Sequence, residues 1–418
     1  MPLIAIIGAG AAGTMAAIFA AASGAETLLL ERTADGGRKI LISGGGRCNI
    51  LPARLDESRF VSDAPPHLVR RIVRSWPLRQ QIAFFERELG LPLVEEVGSA
   101  KLFPASQRAR DVRDRLLHLA ERRGAQLRMK TTVTGFGPED GGWRVDIHDR
   151  APVKADALIV ATGGLSVPST GSDGAGLRVA ETLGHTVRPT YPALTPLLAS
   201  PAPFAALSGV SLPVTITARA DGLSSTASGG FLFTHHGYSG PAVLDVSHVA
   251  VRSRMEAMSP ARIVVRWAPR GDAEWTAALR PRGSRTVLAA VGDVLPSRLA
   301  EALIQTAGVD ARRPLAHLAR GDRLRLIETL VRGELPWTGD EGYKKAEVTG
   351  GGVSLTDIDP KTMESRRHKG LFLCGEMLDA FGPIGGYNFL WAWATGRAAG
   401  LGASATIKGL ASTEGCFS

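Results

Sequence analysis

Apolar residues along this chain follow patterns that differ between its ends and its middle. Leu3–Ile7 is a short, wholly apolar run, and Leu28–Leu30 and Ala157–Ala161 are two more. Continuous apolar runs of this length are typical of parallel strands that are covered on both faces. Helical patterns separate them, so the sequence predicts an α/β domain built on a parallel sheet.

The helical patterns are amphipathic. Apolar residues recur at helical spacing in His67–Trp76 and in Leu78–Leu89, and Pro77 separates the two segments. Ala109–Arg123 carries arginines on one face and aliphatic side chains on the other. Gly174–Leu183 is a fourth predicted helix.

Shorter segments connect these elements. Thr33–Leu51 is rich in glycine and is predicted to be a long loop, whereas Gln126–Val133 is predicted to be one strand. Trp143–His148 and Val153–Asp156 alternate as a β-ribbon does.

The pattern changes near residue 190, where prolines cluster and short alternating runs such as Val214–Ala220 and Ile263–Trp267 begin. These runs predict antiparallel strands. The sequence therefore predicts a nucleotide-binding domain interrupted by an insertion. The predicted parts are 1–188 (first part of the nucleotide-binding domain), 189–283 (inserted antiparallel β domain), 284–333 (helical subdomain), 334–350 (return strand of the β domain) and 351–418 (second part of the nucleotide-binding domain).

The first strand leads into the glycine fingerprint G-x-G-x-x-G at Gly8, Gly10 and Gly13. In such a motif the first glycine makes a tight turn, the second lets a pyrophosphate approach, and the third lets the helix pack on the sheet. Glu31 ends the second strand at the spacing expected for a ribose-binding acid. This combination predicts an adenine dinucleotide site.

A second glycine-rich segment runs from Gly36 to Asn49. Arg38, Lys39 and Arg47 place positive charge there, which suits a pyrophosphate or a substrate anion. Cys48 has two interpretations, a thiol near a reactive ring or a small buried side chain.

A third feature lies near the end of the chain. The apolar strand at Gly370–Cys374 leads to Gly375-Glu376, and Gly385-Gly386 precedes a predicted helix from Asn388 to Ala399. That helix is apolar on nearly all sides, which indicates burial, and its N-terminus would favour a negative ligand atom.

Composition adds two constraints. The formal charge of +9 is compatible with an anionic partner, but the basic residues are spread out, so a solvated basic surface is the favoured interpretation. Cys48, Cys374 and Cys416 form no C-x-x-C pair, so we expect no disulfide scaffold and a reducing cytoplasm. No metal site and no membrane span are expected, and a nucleic-acid partner is not favoured.

Several motifs together resemble the BaiN/YhiN-type bacterial flavoproteins. They are the first fingerprint, GRKILISGGGRCN, ATGG, LFTHHGYSGPA, AEVTGGGVSLTDIDPKTMES and GLFLCGEMLDAFGPIGGYNFLWAWATGRAAG. The resemblance covers nearly the whole chain. It implies a glutathione-reductase-like, FAD-binding Rossmann domain that is interrupted by an inserted β-barrel domain and a small helical subdomain.

The resemblance also implies which residues contact FAD. They are Gly8, Gly10, Ala12, Gly13, Glu31, Arg32, Lys39, Ser43, Gly44, Arg47, Cys48, Asn49, Val133, Thr162, Gly163, Gly375, Glu376, Asp379, Gly386, Tyr387 and Asn388.

The function expected from these features is hydride transfer by FAD on a small organic substrate. No second fingerprint follows a strand, so NAD(P)H would dock only transiently as a donor. His235 and His236 are candidate general acids, or histidines that only satisfy a tight turn, and Ser239 is a candidate N-cap for the helix that follows. Two alternatives remain, a flavoprotein that acts on RNA and a flavin-binding regulator without turnover. The sequence leaves the substrate and the oligomeric state open.

Overall fold

The computed structural model describes residues 2–256 and 258–414, and Cys416 lies outside this range. The chain divides into two compact units. Unit one contains the residues up to Thr190 together with those from Val348 onwards, and unit two is Tyr191–Glu347.

The strands are β1 Leu3–Ile7, β2 Glu26–Leu30, β3 Leu51–Pro52, β4 Leu93–Glu96, β5 Lys101–Pro104, β6 Ala125–Arg128, β7 Val133–Glu139, β8 Gly142–Ile147, β9 Val153–Ala155, β10 Ala157–Val160, β11 Val187–Ala193, β12 Leu197–Leu198, β13 Ser211–Ala220, β14 Leu223–Phe233, β15 Gly237–Ser239, β16 Arg262–Arg266, β17 Gly333–Glu334, β18 Gly339–Asp340, β19 Val348–Val353 and β20 Leu371–Leu373.

The α-helices are α1 Ala11–Ala22, α2 Arg38–Ile42, α3 Pro66–Arg74, α4 Leu78–Ala83, α5 Ala109–Arg122, α6 Ala175–Thr182, α7 Pro241–Met255, α8 Asp272–Ala278, α9 Val287–Val291, α10 Ser297–Thr306, α11 Arg320–Arg332 and α12 Tyr387–Glu414.

Unit one is built on a parallel sheet with the strand order β20-β10-β1-β2-β6. Because the strands are parallel, their carboxyl ends share one edge. Gly8, Glu31, Thr162 and Gly375 follow four of these strands at that edge. Two antiparallel sheets, β3-β5-β4 and β7-β8-β9, belong to the same unit. The predicted α/β class with a Rossmann-type sheet is confirmed.

Helices α1 and α12 pack very closely on each other. A Cβ atom built on Gly396 would lie 2.3 Å from the Ala12 carbonyl oxygen, and one on Gly400 would lie 2.4 Å from the Ala16 carbonyl oxygen. The glycines therefore let the two helix backbones touch. The opposite sides of α12 bury Trp391 and Trp393, as its all-round apolar sequence indicates.

Two predicted segments of unit one are corrected. The loop predicted for Thr33–Leu51 contains α2, because Gly37 takes a left-handed conformation, donates to the Ala9 carbonyl at 2.8 Å and allows a helix that buries Ile40. The strand predicted for Gln126–Val133 is two strands, β6 and β7. The chain turns between them at Lys130, whose φ is 51°.

Unit two contains an antiparallel sheet with the order β17-β16-β13-β14-β15-β12-β18. Aromatic side chains fill its core, and Phe233 stacks on Trp267 with ring centroids 5.7 Å apart. Helices α9, α10 and α11 follow the sheet's β16 in sequence and belong to this unit.

The N-cap predicted at Ser239 is wrong. Ser239 ends β15, and Gly240 caps α7 with a φ of 96°. A Cβ atom at Gly240 would lie 2.6 Å from the Gly230 carbonyl oxygen, so only glycine fits this turn.

Candidate functional site

The turn between β1 and α1 gives each fingerprint glycine a different environment. Gly8 has a φ of 101°, and a Cβ atom there would lie 2.6 Å from the Ala161 carbonyl oxygen. A Cβ atom on Gly13 would lie 1.8 Å from the Gly8 carbonyl oxygen. Gly10, the N-cap of α1, is different because a Cβ atom there would meet no described atom within 4 Å. The turn is closed toward the sheet and open at the helix N-terminus, which is the geometry of an anion site.

Glu31 and Arg32 follow β2 at the same edge. Glu31 is 8% exposed, and its two carboxylate oxygens accept from the Ala9 amide at 2.8 Å and the Thr33 amide at 2.7 Å. These bonds fix the carboxylate against the fingerprint turn. Arg32 pairs with Asp173 at 2.5 Å, and both side chains are half exposed.

A buried arginine that sequence reasoning missed supports the glycine-rich segment. Arg113 of α5 is 7% exposed and donates to the Asp35 carbonyl at 3.0 Å. Its guanidinium also pairs with Asp114. The available signal was a charged residue inside the apolar stripe formed by Ala109 and Leu116.

A polar cluster joins distant parts of unit one, and we call Lys39, Ser166, Thr349 and Glu376 the polar cluster. Lys39 Nζ donates to Ser166 Oγ at 2.7 Å and to Glu376 Oε2 at 2.6 Å. Glu376 Oε1 accepts from Ser166 Oγ at 2.5 Å and from the Thr349 amide at 3.0 Å. Thr349 Oγ1 accepts in turn from the Ser166 amide at 3.1 Å. Sequence reasoning identified Lys39 and Glu376 but not Ser166 or Thr349.

The end of the glycine-rich segment surrounds a buried thiol. Cys48 is fully buried with a φ of 62°, and burial raises its pKa to about 12. The thiol therefore stays protonated at neutral pH and has the character of a small core side chain. Arg47 stacks over Phe103 and pairs with Glu96 at 2.8 Å. The Ser43 hydroxyl is used locally, since it donates to the Ile40 carbonyl at 2.7 Å, while Gly44 is exposed.

Asn49 connects this segment to the start of α12. In the amide orientation that satisfies both bonds, Asn49 accepts from the Gly386 amide at 3.0 Å and donates to the Leu51 carbonyl at 3.2 Å. The approach is close, because a Cβ atom on Gly386 would lie 2.4 Å from the Leu51 carbonyl carbon.

The other residues before and in α12 use their side chains locally. Tyr387 Oη accepts from the Asp56 amide at 3.1 Å, and the Asn388 amide exchanges two 2.9 Å bonds with the Gly382 backbone. Asp379 is 3% exposed and accepts from the Asp63 amide at 3.1 Å. These residues hold the loop before α12 in place through hydrogen bonds within the chain.

Three remaining candidates lie near the carboxyl ends of the strands. Thr162 has a buried Oγ1 atom without a hydrogen-bond partner among the described residues. Gly163 follows with a φ of 74°, and Val133 begins β7 as a half-buried residue. Ala12, in the first turn of α1, lies close to the backbone of Gly375. A Cβ atom built on Gly375 would lie 2.8 Å from the Ala12 methyl group.

His235 and His236 belong to unit two, whereas the candidate cofactor residues belong to unit one. Both histidines are exposed on the bend between β14 and β15. Their catalytic role stays a prediction.

Two further kinds of site are absent from the described residues. No helix there combines the length and the apolar character needed to cross a bilayer. No three His, Cys, Asp or Glu side chains there are grouped so that they suit a metal ion.

The parallel sheet and the fingerprint turn define a Rossmann-fold protein with a nucleotide-type site at the carboxyl edge of its strands. The chain belongs to the HI0933-like family, since the profile of the HI0933-like protein Rossmann domain matches residues 2–402. This is the BaiN/YhiN-type group that the motifs resemble.

Two curated relatives match nearly full length. The ribosomal RNA dihydrouridine synthase of Escherichia coli (strain K12) is 33% identical over 403 residues, covering 93% of this chain and 95% of the relative. The 3-dehydro-bile acid delta(4,6)-reductase of Clostridium scindens is 30% identical over 420 residues, covering 97% and 99%.

A solved structure shares the fold. Mycobacterium smegmatis Sdh1 in complex with UQ1 superposes with a TM-score of 0.51 at 14% identity, covering 98% of this chain and 70% of that chain. At this identity the likeness concerns the fold alone.

Proposed function

We propose that this protein is an FAD-dependent oxidoreductase that transfers hydride to an unsaturated organic substrate. The observation that carries the proposal is the open N-terminus of α1 at Gly10, beside the buried Glu31 carboxylate. The helix N-terminus suits a pyrophosphate anion, and the Glu31 carboxylate suits a ribose hydroxyl. An adenine dinucleotide carries both groups. The unpartnered Thr162 Oγ1 at the same sheet edge offers a further polar contact, since no described residue satisfies it.

Residues of unit one would hold the cofactor in distinct ways. The backbone at Gly10–Gly13 would bind the pyrophosphate and Glu31 the ribose, while Lys39 would supply a positive charge held in place by Ser166 and Glu376. The N-terminus of α12 would favour the negative edge of a reduced ring. When bound, the flavin supplies the hydride chemistry, and the protein supplies orientation and electrostatics.

The names of the two curated relatives suggest the class of reaction. Forming dihydrouridine and reducing a delta(4,6) bile acid both saturate a carbon–carbon double bond. We infer the same class here, with the double bond made electrophilic by a conjugated carbonyl group. NAD(P)H is the proposed donor and would dock transiently.

A second candidate is the same reaction on a uridine base within RNA. The formal charge of +9 and the 33% identity to a ribosomal RNA dihydrouridine synthase favour it. The two candidate functions share the cofactor and differ in the substrate that contains the double bond, a small organic molecule or a uridine base in RNA.

FAD binding tests the cofactor half of the proposal. We expect the purified protein, after reconstitution, to show a flavin band at about 450 nm. Gly10→Ala adds a methyl group to open space, so the protein should keep its melting temperature and bind FAD at least about tenfold more weakly, because the pyrophosphate needs that space. Gly137→Ala in β7 is the matched control, since it also meets no described atom. Equal FAD affinity in all three proteins would refute this cofactor site.

Reduction of the bound flavin tests the reaction half. Under anaerobic conditions we expect NADPH or NADH to bleach the flavin band. An enone or a uridine-containing RNA should then restore it without oxygen. A flavin that no nicotinamide reduces would favour the regulator without turnover.

A further inference from the structure

A basic cleft lies outside the residues described so far. It has a volume of about 480 Å³ and opens beside α3. We call it the α3 cleft, and its lining residues are His67, Arg70, Arg71, Arg74, Ser75, Pro360 and Lys361. None of these is acidic.

The charge of the α3 cleft follows from the sequence of α3. Val69, Ile72 and Val73 are buried, so the arginines between them must face outward. Arg74 is partly neutralised by Glu57, whose carboxylate oxygens accept from Arg74 Nε at 2.9 Å. Arg70 and Arg71 are exposed and have no hydrogen bond or ion pair to any described residue.

A single loop links the cleft to the candidate cofactor site. Glu57 holds Arg74, while the preceding residue, Asp56, donates its amide to Tyr387 Oη at 3.1 Å. The Arg59 guanidinium lies 5.5 Å from the centre of the Tyr387 ring. The loop that contains Asp56 and Glu57 therefore contacts both the α3 cleft and Tyr387, the first residue of α12.

The shape of the cleft favours a chain of phosphates over a single phosphate. His67 to Arg74 spans seven residues, or about 10 Å along the helix axis. The exposed guanidinium groups, on Arg70, Arg71 and Arg74, occupy about 6 Å of this length, whereas an enclosed pocket would suit one phosphate. A positively charged groove that follows the sugar–phosphate backbone is one of the two components of sites for single-stranded nucleic acid, the other being aromatic side chains on which bases stack.

We propose that the α3 cleft binds the phosphodiester backbone of a single-stranded RNA segment and so presents a base to the candidate cofactor site. The proposal rests on the RNA form of the proposed function. The α3 cleft supplies affinity that does not depend on base sequence, and the specificity for a base lies elsewhere.

The experiment is a titration of the FAD-loaded protein with a fluorescent oligouridylate of about a dozen nucleotides, followed by anisotropy at several salt concentrations. Arg70→Gln combined with Arg71→Gln should weaken binding about tenfold and lower the slope of log K against log salt by about 1.4, because two phosphate contacts are lost. Arg110→Gln with Arg122→Gln, on exposed positions of α5, removes the same charge and should change both quantities little.

Three results would overturn the proposal. They are equal losses in the two double variants, no loss in either, and displacement of the oligouridylate by millimolar inorganic phosphate, which would indicate a site for a single phosphate. The flavin band and its reduction by NADPH, recorded on the same samples, report the proposed function separately. RNA binding without a flavin band would refute the cofactor and leave the α3 cleft standing.

Discussion

Glu376 shows how one side chain organises the candidate site. Its carboxylate accepts bonds from Lys39, Ser166 and Thr349, which lie in three separate segments of the chain. A carboxylate accepts at both oxygens, and an amide accepts at only one. The charge and the acceptor geometry are therefore both needed at this position.

Glu376→Gln tests this role. The new NH₂ group must face the Lys39 ammonium or the Ser166–Thr349 donors, so we expect the free energy of unfolding to fall by about 1–3 kcal/mol. Urea unfolding measures the change. Glu96→Gln is the control, because Glu96 pairs with Arg47 in a partly exposed bridge that contributes less than about 1 kcal/mol. Equal losses of unfolding free energy in the two variants would show that the polar cluster stabilises the fold no more than the partly exposed Glu96–Arg47 pair does.

At this scale the sequence predicts residue types better than partners. Glycine spacing and an acid after β2 are local patterns, so the sequence alone is enough to identify Gly8, Gly10, Gly13 and Glu31 as candidates. Thr349 is 183 residues from Ser166 along the chain, and nothing local in either segment indicates the bond between them.

The packing of α12 on α1 is the decisive contact among the elements of unit one. It depends on glycines that leave no room for a methyl group, although glycine is a poor helix former. Close approach and helix propensity thus make opposite demands on this helix.

Two alanine substitutions in α12 separate these demands. Gly400→Ala would place a methyl group 2.4 Å from the Ala16 carbonyl oxygen, so we expect a loss of about 1–3 kcal/mol in spite of the better propensity. Gly409→Ala meets no described atom and should gain up to about 1 kcal/mol. Thermal unfolding of both variants measures the difference, and stabilisation by both would contradict the contact.

Elements with strong local patterns were predictable from the sequence. The apolar runs of β1, β2 and β10 and the amphipathic α5 form where the pattern places them. The helix α2 was not predictable, because its start depends on the Gly37 amide reaching the Ala9 carbonyl. Likewise, the turn at Lys130 depends on the Thr131 amide, which donates to the Glu31 carbonyl at 2.8 Å.

Each unit of the whole molecule buries a histidine that resists protonation. Burial lowers the pKa of His248 in unit two to about 4 and also lowers the pKa of His185 in unit one. The unfolded chain takes up these protons near pH 6.5, so stability is full above that pH and falls as pH decreases toward 4.

We expect acidification to destabilise unit two by about 3 kcal/mol through His248 alone. His248→Gln should reduce the fall in unfolding free energy between pH 7 and pH 5, whatever it does to the stability at pH 7. His118→Gln, at an exposed position of α5, is the matched control. Urea unfolding across this pH range distinguishes the two, and identical slopes would exclude His248 as the source.

The order of the parallel sheet has a consequence for biosynthesis. Its edge strand β20 is translated after the whole of unit two, and so are Glu376 and α12. A ribosome that has released only the first 347 residues has exposed β1, β2 and the fingerprint glycines, but Lys39 still lacks its carboxylate partner. The nascent chain therefore carries an open-sided sheet for the time needed to translate the insertion, while the six candidate cofactor residues from Gly375 to Asn388 are still missing.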